Sequence, residues 1–227
     1  MRGGKTKTGY TITEVLIVLA ISSAMFLVAN SFLSGRVAET SFRTGVNEMA
    51  SRLQDTINQV SSGQYSDIPN RNCVLVSGVP SFEMPPVEQG KNINCIFIGK
   101  FFTFSNASNT YTTQLVAGKR ESTNFTDVSP TIITNTVTNF NIPGGLKYKA
   151  IAGQPTSFAI IQNPAGSSPS DATANSVLLT NSAMNATLSN IQLCLSDGNR
   201  SSIITIGDNN NLLGVKTEYK YGSADCT

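Results

Sequence analysis

The chain has 227 residues, enough for one domain with an ample core and an accessory segment. Charged residues make up only 13%, and Ser, Thr, Asn and Gly are abundant, which suits a β-rich exported domain better than a cytosolic enzyme. The formal charge of +2 is local: without Arg2, Lys5 and Lys7, 13 basic side chains face 14 acidic ones, so no bulk basic character argues for nucleic acid as the main partner.

The chain has no histidine, which excludes Ser–His–Asp and Cys–His catalysis and the common His-containing zinc sites. No P-loop is present, and no G-x-G-x-x-G follows a strand and opens a helix. The acids Glu83 and Glu88 lie in a proline-bearing stretch that reads as an exposed loop, not a tuned acid–base pair. The expectation is a non-enzymatic protein with no cofactor and no metal.

In chain order, the basic leader "MRGGKTKTG" precedes an apolar run interrupted by one acid, Glu14. Ile12 to Leu33 spans 22 residues, enough to cross ~30 Å of hydrocarbon as a helix. The flanking cations place the N-terminus in the cytoplasm. A secretory signal peptide would be shorter and end in a small-residue cleavage site. A plain anchor leaves Glu14 unexplained, because an intramembrane acid normally has a partner.

From Ser34 to Ser62 the apolar residues Phe42, Val46, Met49, Leu53, Ile57 and Val60 recur at steps of 4, 3, 4, 4 and 3, a helical stripe. Arg43, Glu48, Arg52 and Asp55 lie largely off it. One helix from about Tyr10 to Val60 is predicted, roughly 75 Å long at 1.5 Å per residue. Gly35 and Gly45 are expected to soften it, and Gly63 and Pro69 to end it.

Beyond Arg71 short β-prone runs alternate with Gly, Pro, Asn and Ser: "CVLVSG", "CIFIGKFFTFS", "YTTQLVAG", "TIITNTVTNFNI", "SFAIIQN", "SVLLT", "IQLCLSD", "SSIITIGD" and "LLGVKTEYKY". This density predicts an antiparallel sheet or two packed sheets. "GDNNNLLG" reads as a hairpin turn, and "SDGN" as another; neither has the acid spacing of a calcium loop.

Cys73, Cys95, Cys194 and Cys226 match no zinc spacing and point to disulfides in an oxidising compartment. Of three possible pairings, loop closure favours Cys73–Cys95 and Cys194–Cys226. At the C-terminus "VKTEYKYG" puts Lys216 and Lys220 on one strand face and Tyr219 and Tyr221 on the other, with Arg200 upstream. These five residues are the candidate DNA-binding set; an edge strand whose lysines blunt aggregation is the alternative.

The stretch "GYTITEVLIVLAI" resembles the type III signal of type IV pilins and pseudopilins. In that family a peptidase cuts after the leader's final glycine, the new N-terminal residue, usually Phe, is N-methylated, and the fifth mature residue is glutamate. The resemblance implies cleavage after Gly9, methylation of Tyr10, and a docking role for Glu14. Tyr10 replaces the usual Phe, and Thr13 stands where an aliphatic residue is common. Tyr10 and Glu14, four apart, are expected on one helix face, so the new amine can pair with the carboxylate within a chain or between subunits. An unpaired buried charge costs several kcal/mol, which makes Glu14 an assembly and register device.

The tail "QLCLSDGNRSSIITIGDNNNLLGVKTEY" and the junction "RLQDTINQVSSG"–"NCVLVSG" are similar to minor pilins of the type II secretion H and FimT group, some of which bind DNA. The resemblance implies an α+β, type IV pilin-like fold with a long N-terminal helix packed on an antiparallel β-sheet domain. Its parts are a leader at 1–9, a transmembrane and filament-core half-helix at 10–33, an amphipathic half at 34–62 and a β-rich globular domain at 63–227. The implied function is a minor pilin or pseudopilin acting in filament assembly, initiation and surface interaction. A type II secretion pseudopilus subunit, a competence pilin and a non-polymerising membrane-anchored binding domain are the alternatives. Implied partners are other pilin subunits, the prepilin peptidase, the inner-membrane assembly platform and the lipid bilayer, with nucleic acid as a further candidate. The implied location is the inner membrane, single-pass, and then an extracytoplasmic filament.

Overall fold

The computed structural model describes residues 10–63, 72–83, 95–120, 128–162, 177–207, 213–220 and 226. Its architecture is α+β: among the described residues, one N-terminal α-helix is followed by strands that pair antiparallel. The chain divides into two compact units, Met1–Arg43 and Thr44–Thr227.

Helix α1 runs unbroken over Ile12–Ser62. It ends where predicted, because Gly63 takes φ +66°, a conformation only glycine adopts cheaply, and its N–H donates to the Val60 carbonyl at 3.3 Å. Glutamate–arginine pairs four residues apart, Arg43–Glu39 at 2.9 Å and Arg52–Glu48 at 2.7 Å, lace its polar side. The predicted stripe is the buried one from Thr44 onward: Val46, Met49, Leu53, Ile57 and Val60 are each at most 4% exposed.

Gly45 does not soften the helix. A Cβ there would stand 2.8 Å from the Pro143 carbonyl oxygen and 3.1 Å from the Gly144 Cα. The residue is glycine because the 3-10 turn Pro143–Gly145 lies directly against the helix backbone.

All nine β-prone runs contain strands. They are β1 (Asn72–Val76), β3 (Cys95–Phe104), β4 (Thr110–Arg120), β5 (Val128–Asn141), β7 (Ser157–Gln162), β8 (Val177–Thr180), β10 (Ile191–Ser196), β11 (Ser201–Ile206) and β12 (Val215–Lys220). Three strands had no clear signal: β2 (Val79–Glu83), β6 (Lys147–Lys149) and β9 (Thr187–Leu188). Pro80 masks β2, and the other two are too short for a period to register. Glu83 therefore ends a strand, opposite Asn72, and does not sit in a loop; Glu88 lies outside the described residues.

The strands form three sheets. β1 and β2 make a hairpin whose two-residue turn, Ser77–Gly78, has positive φ at both positions (52° and 81°), as a primed turn requires. A four-stranded sheet has order β12-β11-β10-β6, and a six-stranded sheet β5-β4-β3-β7-β8-β9. Two bulges re-aim the longer sheet. At the first, between Phe97 and Gly99, a Cβ on Gly99 would meet the Ile160 carbonyl oxygen, so glycine alone fits. At the second, opposite Leu115, the Thr136 hydroxyl accepts from the Leu115 N–H at 2.8 Å and donates to the Ile133 carbonyl at 2.6 Å, replacing lost ladder bonds.

In the second unit the helix touches both larger sheets. Lys100 of β3 donates to Gln59 Oε1 at 3.0 Å, and the Tyr219 hydroxyl of β12 donates to Asn47 Oδ1 at 2.7 Å. Part of the core is a run of aromatic rings: Phe104 has Tyr111, Tyr148 and Phe158 at centroid distances of 5.3, 5.2 and 6.1 Å. Tyr148 is fully buried, and its hydroxyl has no hydrogen-bond partner among the described residues. Burial pushes its pKa up. Removing an unsatisfied hydroxyl from a core is neutral or favourable, so Tyr148→Phe is expected to leave the urea midpoint unchanged or raise stability by up to about 1 kcal/mol. A marked loss of stability would mean that the hydroxyl has a partner.

Candidate functional site

The first candidate region is the helix start. Gly9 lies outside the described residues. Tyr10, 84% exposed, and Thr11 precede the helix, whose first turn is closed by the Val15 N–H donating to the Thr11 carbonyl at 3.2 Å. The Thr11 hydroxyl accepts from the Glu14 N–H at 3.3 Å, which makes Thr11 the N-cap and Glu14 the third helical residue. This is the threonine-x-x-glutamate spacing of a capping box.

The expectation that Tyr10 and Glu14 share one helix face is not met. Thr11 starts the helix one residue after Tyr10, so the four-residue helical spacing does not apply between them. Thr11 was missed as a functional residue although "TITE" carries the signal. Glu14 is exposed and lies in the first turn, where the helix dipole favours an acid.

Ile12–Asn30 is long and apolar enough to cross a bilayer, and every residue in it is exposed within the chain. A secretory signal would meet the same criterion of length and apolarity. In mid-segment the Ser23 hydroxyl donates to the Leu19 carbonyl at 2.8 Å, the kind of internal bond that a lipid setting would require.

The cysteines pair as loop closure predicted, Cys73 with Cys95 and Cys194 with Cys226, at Cα separations of 5.4 and 5.9 Å. The first bond joins β1 to β3 beside Leu115, Ala117 and Ile133. The second ties the C-terminal Cys226 to β10.

Another candidate region is the four-stranded sheet. Its register puts Lys216, Glu218 and Lys220 on the same side of the sheet as Thr205, Ile203 and Ser201. Tyr219 points to the opposite side, where its hydroxyl meets Asn47 of the helix. Lys220 donates to the Cys226 carbonyl at 3.4 Å. Arg200 folds onto Asp197, with Nε and a terminal nitrogen 3.0 and 2.9 Å from Oδ2. Tyr221 lies outside the described residues. The fold thus brings Lys216 and Lys220 to one face with Glu218 between them and turns Tyr219 to the other. β6 adds Lys147 and Lys149, paired with Ser196 and Cys194, a contribution that strand spacing in sequence could not reveal.

The "SDGN" turn explains itself. Asp197 Oδ1 accepts from the amides of Asn199 and Arg200 at 2.9 and 2.8 Å, and Ser196 Oγ bridges the Gly198 amide and the Arg200 carbonyl. Partial burial alone would raise the Asp197 carboxyl, but the two amides and the Arg200 guanidinium outweigh it and hold its pKa below the ordinary 3.8. A depressed carboxyl contributes stability that is full above the unfolded pKa and is lost as pH falls through the folded one. In acid titrations of the urea midpoint, Asp197→Asn is expected to be less stable than the parent at neutral pH and to converge on it below about pH 3. An unchanged gap across that range would contradict this assignment. The hairpin read from "GDNNNLLG" is closed by the Gly207 N–H donating to the Gly214 carbonyl at 3.0 Å, between β11 and β12; residues 208–212 lie outside the described residues.

No protein-family model matches the chain, and no curated protein or solved structure matches it either.

Proposed function

We propose that this chain is a membrane-inserted prepilin, processed into a minor subunit of a type IV pilus-like filament. The observation that carries the reading is the order of features along one helix. A basic leader ends at Gly9, an acid stands in the first turn at Glu14, an exposed apolar stretch covers Ile12–Asn30, and the same unbroken helix becomes a buried stripe under a disulfide-bonded antiparallel β domain. A removable signal has no use for a helix that continues into the domain core.

In this reading the peptidase cuts after Gly9 and leaves an ammonium on Tyr10. The apolar half-helix sits in the inner membrane until the assembly platform passes it to the filament, where Glu14 meets the amine of a neighbouring subunit. The β domain faces outward and sets surface contacts. A type II secretion pseudopilus subunit would share every one of these steps and differs only in the filament with which it co-purifies. A monomeric anchored binding domain would share none of the processing.

Intact-mass measurement of the mature protein tests the reading. Loss of Met1 to Gly9 with addition of one methyl group is expected. A mature chain that retains Gly9, or one cut beyond the apolar stretch, would overturn it.

A further inference from the structure

Strand β12 ends the four-stranded sheet, and an end strand offers its outward backbone groups to any chain that can match them. Which groups face outward follows from the ladder. The Gly207 N–H donates to the Gly214 carbonyl just before β12 begins. By antiparallel alternation, Lys216, Glu218 and Lys220 then exchange bonds with β11. Val215, Thr217 and Tyr219 turn their N–H and C=O groups to the open edge. Among the described residues, nothing bonds the outward groups of Val215 and Thr217. Cys226 is bonded to Cys194 of β10, with its sulfur 3.7 Å from the Ser202 carbonyl of β11, so it lies over those strands and not along the edge.

The side chains along this edge alternate in charge. Lys216 and Glu218 are exposed on one face, about 7 Å apart along the strand, and neither forms an ion pair among the described residues. A lysine on an edge strand normally repels a second strand. An acid two residues on reverses that for one particular partner. A second copy of β12, run antiparallel about Thr217, sets Lys216 opposite Glu218 at two places.

We propose that β12 pairs with β12 of a second copy of this chain, antiparallel about Thr217, and joins the two four-stranded sheets into one. The two Thr217 residues exchange N–H···O bonds at the two-fold axis, and Val215 bonds Tyr219 on either side. Lys216 and Glu218 fall in the intervening non-hydrogen-bonded pairs, whose Cα atoms approach to about 4.5 Å. Each lysine is therefore nearer to the acid of the second copy than to the acid of its own strand. On the other face Val215 lies opposite Tyr219, a β-branched and aromatic pair. Pairing about Glu218 would set Glu218 against itself and Lys216 against Lys220, and pairing about Lys216 would set lysine against lysine. Pairing about Tyr219 matches Glu218 with Lys220, but it leaves Val215 and Lys216 opposite residues beyond the strand, and Lys220 is held by the Cys226 carbonyl at 3.4 Å. The pairing needs neither processing nor filament assembly.

Sedimentation equilibrium of the full chain in detergent micelles is the test. A monomer–dimer equilibrium with a Kd of about 100 µM or tighter is expected. Raising salt from about 0.05 to about 0.5 M is expected to weaken the parent dimer about threefold or more, since exposed charge pairs are screened. Lys216→Glu or Glu218→Lys alone sets like charges opposite each other at two places and is expected to weaken dimerisation at least about tenfold. The double reversal, Lys216→Glu with Glu218→Lys, restores both pairs and is expected to bring Kd back to within about threefold of the parent. Both positions are exposed, so the variants are expected to keep the parent thermal midpoint. A parent chain that stays monomeric, a dimer insensitive to salt and to both single reversals, or a double reversal no tighter than the singles would each overturn the pairing. Weakening by Glu218→Lys without weakening by Lys216→Glu would overturn the Thr217 register in favour of Tyr219. The salt dependence needs no variant and decides between the charged edge and an association of the apolar helices.

Discussion

Glu14→Gln is expected to be cleaved and inserted like the parent chain, yet to reach filaments at less than about one hundredth of the parent level. The reason is a charge left without its counterpart. Gln keeps the length and the hydrogen-bonding capacity at the third position of the helix, where the Thr11 hydroxyl accepts from the backbone N–H of residue 14. The helix therefore starts in the same place. What disappears is the carboxylate that, in the proposed filament, meets the ammonium on Tyr10. Removing one partner of a buried ion pair costs about 3–5 kcal/mol, which at 1.4 kcal/mol per decade is more than a hundredfold in incorporation. Thr11→Val separates the two roles of this turn. It removes the cap, worth about 1 kcal/mol, and keeps the charge, so near-normal incorporation is expected. The ratio of each variant in sheared filaments to that in membranes is the measurement. Equal incorporation of Glu14→Gln and the parent would leave the acid with no role beyond its favourable place at the helix start.

The second large effect is expected from the disulfides. The pairs Cys73–Cys95 and Cys194–Cys226 close loops with sequence separations of 22 and 32. On loop-closure entropy each stabilises the fold by about 3–4 kcal/mol, a large share of a typical stability of about 5–15 kcal/mol. Replacing either pair by alanine is expected to lower the thermal midpoint by roughly 6–16 °C. Alanine avoids leaving a buried hydroxyl at Cys73, Cys95 and Cys194, each at most 4% exposed. Removing both pairs is expected to leave the β domain largely unfolded at 37 °C. Loss of the second pair also releases Cys226, so amide exchange should rise in β10 and β12, where Cys194 and the Lys220–Cys226 contact sit. A chain that melts at the same temperature with and without reductant would show that the bridges are dispensable.

Much of this architecture could be read from residue order because it depends on short-range rules. The stripe Val46, Met49, Leu53, Ile57 and Val60 has the helical period and is buried. Nine β-prone runs bounded by turn residues contain strands, because alternation and β-branched content are local properties. The cysteine pairing followed from loop length, which needs no coordinates. Errors arose where two local signals competed. At "TITE" the apolar run drew attention to Ile12 onward, while the hydroxyl that starts the helix stood just before it. At "VPSFE" a proline hid a paired strand.

The amino-acid sequence by itself determined the helix with its apolar first half and striped second half, the β-rich remainder and the pairing of the cysteines. Each follows from periodicity, composition or chain entropy. Tertiary structure alone decided which glycines are needed for close approach, since Gly45, Gly99 and Gly207 are marked out by the distant backbone that lies against them. It also decided that Tyr219 turns toward the helix while Lys216 and Lys220 turn away, and that Lys100 from β3 shares a cleft with Arg52 and Gln59 from the helix. Those arrangements depend on contacts between residues some 40 to 170 positions apart in the chain. Local propensity carries no record of which distant segment fills the space opposite a given face.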